Sequence, residues 1–82
     1  MSEFTLYSRP GCHLCEVMLA ALEPLLAGRG SVRVVDIDGD PALRERYGRR
    51  IPVLAHGNVD LCQYHLDPPA VLAVLDRHGG EA

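Results

Sequence analysis

Two strand-like segments, "EFTLYSR" and "SVRVVDID", flank a single run of helical periodicity. Strands joined through one helix lie parallel, and the crossover between them is right-handed. Phe4, Leu6 and Tyr7 with Thr5 suit a short strand that stops at Arg9-Pro10-Gly11. From Leu14 the period changes. Leu14, Val17, Met18, Ala21, Leu22, Leu25 and Leu26 recur at i, i+3, i+4, i+7, i+8, i+11 and i+12, a stripe along one helix. Pro24 removes a backbone donor inside that stripe, which predicts a kink between Ala20 and Pro24 or an early end followed by a short second turn. Gly28 and Gly30 close the segment, and the second strand is expected from about Val32 to Ile37.

Three further elements follow. In "GDPALRERYG", Asp40 is the expected N-cap of a two-turn helix, Pro41 its first residue and Gly48 its C-terminal cap. "RRIPVLAHGNVDLC" reads as a hairpin, Val53 to His56 and Val59 to Cys62 around a Gly57-Asn58 turn. A last helix starts at Asp67-Pro68, has Val71, Leu72 and Leu75 at helical spacing and ends at Gly79-Gly80. The order β-α-β-α-β-β-α is that of an α/β domain, a four-stranded mixed sheet with helices on both faces, occupying residues 1–82 as one unit.

Charge and apolar content narrow the function. The net charge is −3 without a long run of one sign, so neither a nucleic acid nor an anionic membrane surface is an expected partner. "MSEFTLY" lacks the basic-then-apolar layout of a secretory leader, and no stretch approaches the ~18 apolar residues of a membrane span. A cytoplasmic monomer is the expectation. Three cysteines are too few, and odd in number, for a secreted disulfide framework; a close pair in a reducing compartment is catalytic, redox-sensing or metal-binding.

That pair is Cys12 and Cys15 in "YSRPGCHLCEVML". On spacing alone it is a reversible redox pair, half of a metal site, or two buried neighbours. Zinc needs four ligands and the chain holds only one C-x-x-C, so Cys62, His13 or His65 would have to complete the set, and the expected strand order keeps them apart. Cys62 should lie two strand spacings, about 10 Å, from the pair, as a free buried thiol.

The element order, with C-x-x-C at the first strand–helix junction, resembles the thioredoxin fold in its minimal glutaredoxin form, and the small bacterial glutaredoxin-like proteins in particular. "SRPGCHLC", with Arg9 three positions ahead of Cys12, resembles the active-site turn; "RRIPVL" resembles the segment that opens strand three on a cis proline, here Pro52; "GNVDLC" resembles the next strand. The resemblance implies a thiol–disulfide oxidoreductase. Cys12 would be the nucleophile at the mouth of the first helix and Cys15 the resolving thiol. Arg9 and His13 would stand beside the thiolate. Ile51, ahead of a cis Pro52, would offer backbone groups to a peptide or to glutathione, with Arg49 and Arg50 flanking that groove. The implied partner is a disulfide-containing protein or a glutathione-type small thiol, with no resident cofactor and no metal. Two features depart from the family. His13-Leu14 stands between the cysteines where proline and tyrosine are usual, and "CQYHLDPP" has no glycine where relatives hold glutathione, so Tyr64 and His65 occupy that stretch. These departures keep a second class open, a thioredoxin-fold binding module that retains the cysteines without catalysis.

Overall fold

The computed structural model of the protein describes residues 2–79. The elements are β1 (Ser2–Ser8), α1 (His13–Leu26), β2 (Gly30–Asp36), a 3-10 turn (Ile37–Gly39), α2 (Pro41–Tyr47), β3 (Val53–His56), β4 (Val59–Gln63) and α3 (Pro68–Gly79). The four strands form one mixed sheet in the order β2-β1-β3-β4. β1 runs parallel to β2 and antiparallel to β3, with Tyr7 opposite Val53. The 3-10 turn was not expected: Ile37 leaves the strand there, and the Asp36 carboxylate accepts the Asp38 N–H at 2.9 Å to start the turn. Gly80, expected in the cap of the last helix, lies outside the described residues.

Alternation along the strands sorts side chains into two layers. Phe4, Leu6 and Leu54 pack with Met18, Leu22 and Leu26 of α1 and with Val71, Val74 and Leu75 of α3. On the opposite face Val53 packs with Ile37 and Tyr47, and Tyr7, Leu43 and Ile51 close around them. Helices therefore cover both faces, and the cysteine turn emerges at the end of the sheet where β1 stops and β3 begins.

Two features of α1 correct the sequence reading. Its buried face is Cys15, Met18, Leu22 and Leu26, while Leu14, Val17 and Ala21 are exposed. The real stripe is turned by roughly 60° from the expected one at about 100° per residue. Also, the helix does not end early, since it continues through Pro24 to Leu26. Both Pro24 and Ala20 are exposed, so the turn that lacks a backbone hydrogen bond lies on the solvent side of the helix.

α2 begins as expected. The Asp40 carboxylate accepts the Ala42 N–H at 2.9 Å and the Leu43 N–H at 3.4 Å, a cap worth about 1 kcal/mol. Its other end differs, because Gly48 stays right-handed (φ −53°) where a left-handed cap is usual. Glycine is needed there for space, as a Cβ would lie 2.5 Å from the Arg44 carbonyl oxygen.

The β3–β4 ladder carries a bulge. Leu54 opposes Cys62 and Ala55 opposes Asp60, which leaves Leu61 as the extra residue. Leu61 and Cys62 both pack toward α1 and α3, whereas Asp60 reaches the α2 side and accepts the Tyr47 hydroxyl at 3.3 Å. Cys62 is free. Burial raises its thiol pKa, and burial together with the Asp60 charge raises that of the Tyr47 phenol. Both groups hold their protons to higher pH when folded than when unfolded. Stability is therefore full below the unfolded values, about 8.5 for a thiol and about 10 for a phenol, and is lost as pH rises through the folded ones. Denaturation of the disulfide form, in which Cys62 is the one thiol that titrates, should show a midpoint that declines between about pH 8 and pH 11. Cys62→Ala should flatten the lower part of that decline and Tyr47→Phe the upper part. An unchanged slope in both variants would contradict the assignment.

Candidate active site

The site is built on the turn between β1 and α1. Gly11 takes φ +78°, a left-handed conformation that its missing side chain permits, and this delivers Cys12 to the N-cap of α1. The Cys12 N–H donates to the Arg9 carbonyl at 3.3 Å, and the Glu16 N–H donates to the Cys12 carbonyl at 3.2 Å. Cys12 Sγ accepts the Cys15 N–H at 3.2 Å, the place usually taken by a serine or aspartate oxygen. Cys12 and Cys15 are joined by a disulfide with Cα atoms 5.2 Å apart. Cys15 is buried and Cys12 only partly so. A mixed disulfide on Cys12 is thus reachable from outside, and Cys15 can attack it from within.

The other predicted residues distribute around this pair in different ways. His13 is the exposed first residue of α1. Arg9 directs its guanidinium at Asp38, 3.1 Å away on the 3-10 turn, an exposed pair worth under about 1 kcal/mol. One step beyond the Tyr7–Val53 pair, Pro52 falls opposite Ser8, at the sheet end that carries the cysteines. The Ile51–Pro52 peptide is cis and Pro52 is buried. The Ile51 N–H donates to the Tyr47 carbonyl at 3.1 Å, so an incoming strand would compete with α2 for it. Arg50 is held within the chain: Nη2 lies 2.9 Å from Asp60 Oδ2, Nε donates to Gln63 Oε1 at 2.9 Å, and the guanidinium sits 5.3 Å over the Tyr47 ring. Arg49 and His65 are exposed.

Sequence reasoning missed a groove on the β2 side of α1. It has a volume of about 320 Å³ and is lined by both cysteines with Leu6, Leu19, Val34 and Glu16. Periodicity carried a weak signal for it, since Leu19 belongs to neither the expected stripe nor the polar face. Among the described residues no three His, Cys, Asp or Glu side chains converge as a metal site, and no helix is long and apolar enough to cross a membrane.

This geometry can be set beside known proteins. Residues 3–76 match the family model described as "Glutaredoxin-like domain (DUF836)". The chain belongs to the glutaredoxin-like family. The solution structure of protein Ne2328 from Nitrosomonas europaea is 38% identical to it, with 89% of each chain covered and a TM-score of 0.80. The X-ray structure of protein XcR50 from X. campestris is 40% identical over 90% of this chain and 96% of that one, with a TM-score of 0.70. The glutaredoxin-like NrdH-redoxin from Escherichia coli, 21% identical over 93% of each chain at a TM-score of 0.53, shares the fold. No curated protein matches the chain. The expected thioredoxin-like architecture is therefore the observed one, and a close Cys12–Cys15 pair on a glutaredoxin-like domain supports a redox-type role.

Proposed function

We propose that this glutaredoxin-like protein is a thiol–disulfide oxidoreductase with Cys12 as nucleophile and Cys15 as resolving thiol. The Cys12 thiolate attacks one sulfur of a substrate disulfide, forming a mixed disulfide and releasing the other substrate sulfur as a thiolate. Cys15, once deprotonated, attacks the Cys12 sulfur, closes the internal disulfide and releases the second substrate thiolate. The substrate gains two electrons and the cysteine pair loses two, which a thiol-class reductant returns. Glutathione-type thiols belong to that class, and disulfide-containing proteins or small disulfides are the substrates. We place the reaction in the cytoplasm, on a monomer, with no resident cofactor or metal.

What carries this reading is the position of Cys12 Sγ, 3.2 Å from an amide at the open end of a helix. Amides and macrodipole there favour an anion. An ordinary thiol with a pKa of about 8.5 is only about 3% thiolate at pH 7; lowering it by about two units makes it mostly thiolate, at a differential stabilisation of roughly 2.7 kcal/mol. The binding-module reading has its own support, because the Ile51 N–H and the Arg50 charge are both engaged inside the chain.

Alkylation of the reduced protein separates the two. The Cys12 rate should titrate with a midpoint at or below about pH 7, while Cys62 reacts slowly throughout. Redox equilibration against glutathione should place the pair between about −180 and −270 mV, the part of the range that glutaredoxins and thioredoxin occupy with protein disulfide isomerase. An ordinary thiol midpoint with a potential well below about −300 mV would favour the binding module.

A further inference from the structure

Tyr64, just past the end of β4, is the one described non-glycine residue with a positive φ, +67°. A bulky side chain rarely occupies that region, and such an outlier persists only where its surroundings hold it. Core packing is not what holds this one, since the side chain is exposed. Hydrogen bonds do. The Tyr64 N–H donates to the Pro52 carbonyl at 2.9 Å, and the Tyr64 hydroxyl donates to the Arg49 carbonyl. One residue thus grips both ends of the loop over residues 49–52. Its neighbour Gln63 takes the Arg50 Nε inside the same loop. That loop brings Ile51 and Pro52 to the sheet end where the cysteines lie.

We propose that Tyr64 is a positioning residue for extended peptide substrates: by bridging Arg49 and Pro52 it fixes the loop against which a disulfide-bearing peptide aligns its sulfur on Cys12. This rests on the oxidoreductase reading and refines it toward disulfides within polypeptide chain. A small disulfide lacks the backbone to use the loop, so it reaches Cys12 without help from Tyr64.

Tyr64→Phe deletes the hydroxyl and keeps the ring. Tyr64→Gly suits the left-handed backbone and keeps the amide bond to Pro52. Both are assayed in the full chain, recycled by dithiothreitol, on a disulfide-linked peptide and on bis(2-hydroxyethyl) disulfide, with the uncatalysed rate subtracted. Tyr64→Phe should raise KM for the peptide by about fivefold, the size of one hydrogen bond, with kcat within about twofold. Tyr64→Gly should raise it by at least as much, and the small disulfide should react within about twofold of the parent in both. Equal loss on the two substrates, or no change on either, overturns the positioning role while leaving the oxidoreductase reading in place. A parent protein that reduces the small disulfide but never the peptide does the same. A parent inert toward both overturns the two readings together.

Discussion

Cys12→Ser is expected to bring disulfide reduction down to the uncatalysed rate, and Cys15→Ser to stop it one step later, with substrate still attached. The contrast follows from where the two sulfurs sit. Cys12 caps α1 and is partly exposed, so it alone meets an incoming disulfide. A serine hydroxyl there stays protonated and forms no bond to sulfur, and the first covalent step is lost outright. Cys15 is buried one helical turn on. Without it the mixed disulfide forms but has no internal thiol to release it. Intact-protein mass spectrometry on Cys15→Ser, incubated with a disulfide-linked peptide, should find one peptide per chain, removable by dithiothreitol. Cys62→Ser should turn over like the parent, because Cys62 lies on β4, two strands from β1. Full activity in Cys12→Ser, or a trapped adduct mapped to Cys62, would contradict the assignment.

The largest stability effect is expected at Phe4. Its ring is fully buried, packs on the cluster shared by α1 and α3, and meets the His56 ring tilted at 50° with centroids 5.3 Å apart. It sits on β1, which pairs with a neighbour on each side. Removing it leaves a cavity bounded by elements that cannot collapse without breaking the sheet. Phe→Ala in such a site costs about 3–5 kcal/mol. Small domains total about 5–10 kcal/mol, so most of the margin would go. The thermal midpoint of Phe4→Ala should drop by roughly 15 °C or more, at about 4–8 °C per kcal/mol. A shift under about 5 °C would mean that the ring is not the packing centre assigned to it.

Much of the fold was legible because neighbouring signals agreed. Asp40-Pro41 marks a helix start by removing alternatives, and its cap forms as read. Gly57-Asn58 between two apolar runs marks a hairpin, and the strands pair around it. The face of α1 was not legible. Leu14, Cys15, Val17, Met18, Leu19, Leu22, Leu25 and Leu26 cover so much of the helix that several stripes fit; only contact with Leu6 and Leu54 selects one. Of the candidate site, the cysteine turn was written locally, since proline, glycine and a helical run meet there. The loop at residues 49–52 was not. Its side-chain hydrogen bonds come from Tyr64, Gln63 and Asp60, ten or more residues away along the chain, and no short-range pattern announces a tyrosine with a left-handed backbone.

The two borders of the sheet are unequal. β4 is five residues long, and its extra residue at Leu61 bends it away from flat pairing. β2 runs seven residues in unbroken register with β1, so its outer row of amides and carbonyls is a straight template for another chain. Accretion at high protein concentration would begin on that side. Arg33, exposed in the middle of the strand, is a charge that opposes it. The same long strand that anchors the parallel crossover thus presents an unpaired border, opposed by the Arg33 guanidinium at its middle and the Asp36 carboxylate at its end.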